Sequence, residues 1–368
     1  MMLERPLTRF NWFFFFVVIL LNVFGLINLY SATSSFEGQV STNYFKAQAL
    51  WNGIGIFLLF FIVPIHYKHL KSLSFLIYVG GCVFLVLVLI IGKKVHGNQS
   101  WIVLGPVSLQ PTELAKIGLI FGLSKYLADI KDTDSFSFKT LLPSLMYLMV
   151  PFILVSLQGD LGSSLFYIFI YGTMVLIHGI RIRLLALASG VLMGIVVIAY
   201  LFVLSPYQKD RVRNFLNPEL DRKGSGYHLV QSKIAVGSGQ WLGKGYLKGQ
   251  AHKLKFIPER HTDFIFSVLA EEWGFVGCFL VLSLFFLFFY LGMDIAAHAN
   301  DRYSFFMSVG ILSLFFWHII VNLWGILGLM PLTGVPLTFF SYGGSSVITN
   351  WIGIGLLLNI SYRRFIFT

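Results

Sequence analysis

The sequence predicts an all-α polytopic membrane protein of about ten transmembrane helices, forming one integral-membrane domain over residues 1–368. Three observations carry that prediction. Of the 368 residues, 57% are hydrophobic and only 12% charged, about half the charged share of a soluble domain. Mean hydropathy is +0.78. The apolar residues come in runs close to the ~20 needed to cross a bilayer. The first two observations exclude an ordinary soluble globule, and the number of runs excludes a protein held by a single anchor.

Candidate spans fall at about 11–31, 49–65, 73–92, 111–128, 140–157, 161–179, 184–205, 264–292, 304–329 and 346–361. The first follows Arg5 and Arg9 as a signal peptide would, but its apolar run exceeds the ~7–15 residues of a signal h-region, so it reads as an uncleaved helix. The fourth opens with Pro111, a residue suited to the first helical position. The sixth opens at Asp160 after a very short turn, and the eighth begins just after Asp263. Cys82 and Cys278 lie inside apolar runs and offer neither a disulfide framework nor a zinc site.

The net charge of +11 acquires meaning once the 27 basic residues are sorted by position. With a cytoplasmic N-terminus, Arg5, Arg9, Lys68, Lys71, Lys125, Lys131, Lys139, Arg181, Arg183, Arg302, Arg363 and Arg364 fall on the inner face, and the short outer loops hold only Lys46, Lys93 and Lys94. That asymmetry places both termini in the cytoplasm. Lys116 lies within the fourth span, and the other eleven bases crowd into one outward segment, 206–262, between the seventh and eighth spans. Long loops escape the positive-inside rule, so this basic surface is free to meet anionic headgroups or a phosphorylated lipid-linked substrate. It is not a nucleic-acid surface. Within it, 226–236 reads as a helix with Leu229, Ile234 and Val236 apolar and Gln231, Ser232 and Lys233 polar, suited to the membrane interface.

Acids in membrane segments are costly and mark candidate sites. Glu113 stands in the first turn after Pro111, where a carboxylate also serves the helix dipole, and Lys116 follows one turn later on the same face. Asp160 reads either as a helix cap or as an acid pinned between two helices. Asp263 closes the stretch Pro258-Glu259-Arg260-His261-Thr262-Asp263, where the basic segment re-enters the membrane. Two readings stand open there: an N-cap by Thr262 or Asp263, or a partly desolvated general base acting on a sugar hydroxyl. Adjacent Glu271 and Glu272 cannot share one face, so either one meets water or the residues before Gly274 form a separate interfacial helix with the true span beginning near Phe275. Gly237, Gly239, Gly243, Gly245 and Gly249 form a glycine-rich run whose amides could approach a phosphate. The segment from Gly334 through Ser346 reads as a re-entrant turn between the last two spans.

Taken in order, these segments resemble the SEDS family (shape, elongation, division and sporulation) of cell-wall membrane proteins. The carrying motifs are Trp101-Ile102-Val103-Leu104-Gly105, Gln110-Pro111-Thr112-Glu113-Leu114-Ala115-Lys116, Asp160-Leu161-Gly162, Arg213 with Phe215-Leu216-Asn217-Pro218, Gln231-Ser232 through Gly239, Pro258 through Phe264, and Ser341-Tyr342-Gly343-Gly344-Ser345-Ser346. Glu259-Arg260-His261-Thr262-Asp263 is more similar to the elongation branch than to the division branch. Gly159 and Thr338 stand where the family often has proline.

The resemblance implies a peptidoglycan glycosyltransferase that polymerises lipid II at the outer face of the cytoplasmic membrane. Its implied partners are a class B penicillin-binding protein and the elongation machinery. It implies Asp263 as the catalytic residue, with Glu113, Lys116, Asp160, Arg211, Arg213, His261, Thr262, Ser341 and Ser345 as cavity or substrate-binding residues. A divalent cation, Mg or Mn, could share the diphosphate charge, but the sequence holds no cluster from which to name its ligands. Two other readings compete: a lipid II flippase, suggested by ten spans and intramembrane acids, and a non-catalytic scaffold for a transpeptidase. No internal repeat of the kind many transporters carry is evident.

Overall fold

The computed structural model describes residues 10–34, 42–95, 98–105, 107–130, 138–180, 190, 194, 206–217, 224–250 and 261–363. Asn11 caps the first helix, α1 (Trp12–Ala32), by accepting from the Phe14 amide at 3.0 Å. Helices α2 (Thr42–Ile62) and α3 (Tyr67–Ile91) follow, both with few buried residues and thus largely turned toward lipid.

Between α3 and α4 (Pro111–Asp129), where the sequence predicts only a short outer loop, the chain forms a small antiparallel meander. Its strands are β1 (Lys93–Val95), β2 (Asn98–Leu104) and β3 (Val107–Leu109), with Ile102 opposite Leu109. Two neighbours hold it. The Gln99 amide donates to Gln158 O at 2.9 Å, and the Gln99 side chain donates to Leu89 O at 3.1 Å on α3.

The remaining helices are α5 (Phe138–Leu157), α6 (Leu161–His178), α7 (Pro206–Leu216), α8 (Ser225–Ser238), α9 (Ile265–Ala297), α10 (Arg302–Leu327) and α11 (Gly344–Arg363). Seven described helices are long and apolar enough to cross a membrane: α1, α2, α3, α5, α6, α9 and α10. Helices α4 and α11 correspond to the predicted fourth and tenth spans but carry more polar residues. They tolerate them because most of their surface is buried inside the bundle. The predicted span at 184–205 lies outside the described residues except Gly190 and Gly194. The chain is therefore a mostly helical, multi-pass membrane protein.

Helices α4, α10 and α11 form the centre. Helix α4 packs on α3 and α10, α11 on α2, α10 on α6 and α9, and α9 on α1. Small residues permit the closest approaches. A Cβ on Gly25 would stand 2.1 Å from Phe339 O, so only glycine lets α1 meet the buried turn between α10 and α11.

Helix α9 is broken at Gly274, whose φ of 60° and ψ of −158° are open to glycine and strained for other residues. The break frees backbone groups on both sides, and the 239–250 loop takes them up. Lys244 and Gly245 amides donate to Glu271 O and Glu272 O, each at 3.0 Å, and Phe275 N donates to Gln240 O at 2.8 Å. Both Glu271 and Glu272 are buried, which corrects the alternative in which one faces water, and the break at Gly274 divides α9 into two helical pieces as the other alternative requires. Glu271 pairs with Lys244 at 2.7 Å, and Glu272 accepts from Ser31 Oγ at 2.6 and 2.7 Å. This packing accounts for two glycines of the run: a Cβ would meet Ala270 O at 1.9 Å from Gly239 and Glu272 O at 2.1 Å from Gly243. These two glycines fit protein backbone, where the sequence had suggested phosphate.

The helix expected at 226–236 is present as α8, but with a different face inward. Leu229, Ser232 and Ala235 are buried and Ile234 is exposed. Ser232 Oγ meets Ser267 Oγ at 2.8 Å, so α8 is bonded to α9.

Candidate active site

The turn between α10 and α11 gathers the candidate residues. Five consecutive residues, 332–336, are met in turn from α7, α6, the Asp263 segment and, for the last two, α10. The Arg211 guanidinium on α7 donates to Leu332 O at 3.1 Å. Gly162 in the first turn of α6 lies so close to Thr333 that a Cβ would stand 2.6 Å from its carbonyl oxygen. Gly334, at φ +71°, faces the Asp263 carboxylate: a Cβ there would be 3.3 Å from Oδ2. Val335 O accepts from Asn322 at 2.8 Å, and Pro336 offers its backbone carbonyl to His318.

Asp263 is half-buried immediately before α9. The capping alternative is not what the structure forms. The N-cap is Phe264, with no side-chain cap hydrogen bond, so neither Thr262 nor Asp263 occupies that position. The three residues 261–263 are pinned through their carbonyls instead. His261 O accepts from Tyr342 N at 2.9 Å, Thr262 O from Ser341 Oγ at 2.6 Å, and Asp263 O from Asn322 Nδ2 at 2.9 Å. Ser341 Oγ also accepts from Leu337 N at 2.7 Å, so it bridges the turn and the Asp263 segment. Gln48 on α2 secures the turn from outside, donating to Ser341 O at 2.9 Å. The His261 ring lies 4.5 Å from Tyr44 between centroids. Burial and the neighbouring Tyr44 hold the Tyr342 phenol above its ordinary pKa.

A second polar group lies deeper. Lys116 Nζ is 2.7 Å from Glu113 Oε1 and 2.8 Å from His318 Nε2, with Lys116 1% and Glu113 4% exposed. The pairing expected from their i,i+3 spacing is therefore realised. Lys116 has only protons to give, so the imidazole nitrogen facing it accepts and the other donates to the Pro336 carbonyl. The Phe166 ring covers the ammonium at 4.9 Å.

Asp160 forms a third group. It caps α6, accepting from Ser163 N at 3.1 Å, and also accepts from Gln110 Nε2 at 3.1 Å. The Gln110 amide in turn donates to Ser345 Oγ at 2.8 Å, joining α4, α6 and α11 at one end of the bundle. Arg213 is set apart: it is largely exposed and pairs with Asp210 at 3.6 Å. Glu259 and Arg260 lie outside the described residues.

Two contributors were missed by the sequence reading, His318 and Asn322. They stand four residues apart in an otherwise apolar span, which puts both on one helix face. That spacing was the available signal. Among the described residues, no group of three or more His, Cys, Asp or Glu side chains is placed to hold a metal ion. The assembled groups comprise a carboxylate beside an open backbone position, a buried compensated ion pair, and a base, Arg211, at the rim. Such a set can take a proton from a hydroxyl and meet negative charge.

Residues 11–365 match the family model FtsW/RodA/SpoVE, described as cell cycle protein. The chain is 31% identical to the peptidoglycan glycosyltransferase RodA of Treponema pallidum, with 98% of this chain and 99% of that one covered. It is 38% identical to the peptidoglycan glycosyltransferase MrdB of Escherichia coli K12, covering 78% of this chain and 77% of the relative. Among solved structures, a chain from work on structural coordination of polymerization and crosslinking by a peptidoglycan synthase complex superposes with a TM-score of 0.82. It is 31% identical, and 97% of this chain and 98% of that chain are covered.

Proposed function

This chain belongs to the FtsW/RodA/SpoVE family of cell cycle proteins, and from that premise we infer that it is a peptidoglycan glycosyltransferase of the RodA kind. It extends glycan strands from lipid II at the outer face of the cytoplasmic membrane during cell elongation. The observation that carries this is the match to relatives named for that activity, one of them covered over 98% of this chain and 99% of its own. In this reading α4, α11 and the segment 184–205 complete ten spans, both termini are cytoplasmic, and 206–262 lies outside.

Lipid II brings a sugar diphosphate, already a competent leaving group. The enzyme must align an acceptor hydroxyl and remove its proton. Asp263 is the general base. Its carboxylate lies beside Gly334, where the missing side chain leaves room for an approaching hydroxyl. Arg211 and the bases of 206–262 offset the diphosphate charge, and a Mg or Mn ion, where one takes part, is carried in on the phosphates. The Lys116–Glu113 pair acts from behind through His318, which meets Pro336 in the turn that Asp263 faces, and Asp160 secures the N-terminus of α6, whose Gly162 packs against Thr333. A class B penicillin-binding protein supplies the crosslinking step, in keeping with the polymerization and crosslinking complex of the structural neighbour.

The test is reconstitution of the protein and its transpeptidase in liposomes with labelled lipid II. Glycan polymer on a gel supports the reading. Translocation of lipid II without polymer would replace it with a flippase.

A further inference from the structure

We propose that Asn322 is the positioning residue for Asp263: one buried carboxamide fixes the distance between the chain that bears the carboxylate and the turn the carboxylate faces. The proposal rests on Asp263 being the general base and adds the group that sets its place.

Asn322 is 5% exposed on α10, one turn beyond His318. Its amide nitrogen donates at 2.9 Å to Asp263 O and at 2.8 Å to Val335 O. A carboxamide has two N–H donors, and both are spent here. Since both neighbours are carbonyl oxygens, the orientation of the amide is dictated by the network. The two acceptors flank the feature that matters. One belongs to Asp263 itself, and the other to the residue after Gly334, which faces Asp263 Oδ2. Capping does not fix this stretch, because the N-cap of α9 is Phe264 without a side-chain bond. Ser341 holds the neighbouring Thr262 carbonyl but reaches neither Asp263 O nor Val335 O by its recorded bonds at 2.6 and 2.7 Å. Asn322 thus ties Asp263 itself to the backbone flanking Gly334, one residue along from the Ser341 bridge between Thr262 and Leu337.

The same chemistry occurs at the other end of the bundle, which provides the control. Asn359 on α11 donates to Ile62 O at 2.9 Å and Val63 O at 2.8 Å, stapling α11 to the end of α2. It lies 14 residues beyond Ser345, about 21 Å along the helix. A purely structural role for Asn322 would make the two staples equivalent.

The experiment titrates lipid II against the reconstituted protein and its transpeptidase, comparing Asn322→Ala, Asn322→Leu and Asn359→Ala. A displacement of about 1 Å in a catalytic group costs about 100-fold. Both Asn322 variants are therefore expected to lose about 100-fold in kcat, with KM for lipid II within about 3-fold of wild type. Asn359→Ala should lower the unfolding temperature at least as much and keep kcat within about 3-fold. The proposal is overturned if the Asn322 variants keep kcat, or if Asn359→Ala loses it in proportion to its stability. Asn322→Leu keeps roughly the side-chain volume without burying a charge against two carbonyls, and keeps the test open if Asn322→Ala does not fold. Asp263→Asn is run beside them. Wild-type kcat in that variant defeats the base assignment, whereas an inactive Asp263→Asn with active Asn322 variants defeats only the positioning role.

Discussion

Lys116 Nζ stands 2.8 Å from His318 Nε2, a contact between two side chains at most 4% exposed that joins α4 to α10 inside the bundle. Because the same ammonium neutralises Glu113, it holds a buried charge and orients an imidazole at once. Lys116→Met removes both functions and leaves the Glu113 carboxylate buried without its cation. The expected loss is about 3–5 kcal/mol in thermal or denaturant unfolding, together with loss of polymerisation. Adding Glu113→Gln to that variant removes the stranded charge and should recover at least about half of the stability without restoring activity. No recovery in the double variant would show that the pair is not the coupled unit described.

The 239–250 loop offers a contrast between two glycines in one short stretch. Gly243 has a φ of +76° and lies so close to Glu272 that a Cβ would meet its carbonyl oxygen at 2.1 Å, whereas a Cβ on Gly237 would meet nothing within 4 Å. Gly243→Ala should cost about 2 kcal/mol or more and open 243–250 to limited proteolysis. Gly237→Ala lies in a helix and should leave stability unchanged or raise it by about 0.5 kcal/mol. Equal loss of lipid II affinity in both variants, with stability intact, would restore the phosphate-binding role.

Thr338 stands where the family often has proline, and its buried hydroxyl has no hydrogen-bond partner among the described residues. Thr338→Val replaces that hydroxyl with a methyl group and should raise stability by about 1 kcal/mol in thermal unfolding. A fall of similar size would mean that the hydroxyl has a partner when the protein is in its membrane.

The sequence made Asp263 visible because charge is compressed there at the edge of an apolar run, and it made the Glu113–Lys116 pair visible through helical spacing. What surrounds them was harder to see. The hub at 332–336 acts mostly through backbone carbonyls and close glycine approaches, which leave little trace in residue type. His318 and Asn322 each look like a lone polar residue in an apolar span, and only their separation of four hinted at a shared face. The α3–α4 meander hid because its longest strand is seven residues and lacks a sustained alternation. The choice between the two Glu271–Glu272 alternatives depended on Gly274, whose positive φ becomes evident only once the loop packed against it is seen.

The account stands or falls on the Asp263 carboxylate. The most direct measurement is the rate of lipid II polymerisation by wild type and Asp263→Asn, reconstituted at equal amounts with the same transpeptidase and checked for equal folding by thermal unfolding. Asparagine keeps the shape of the side chain and removes the base, so the account predicts a rate reduced by at least about 100-fold with the fold intact. A variant that polymerises at the wild-type rate would contradict it.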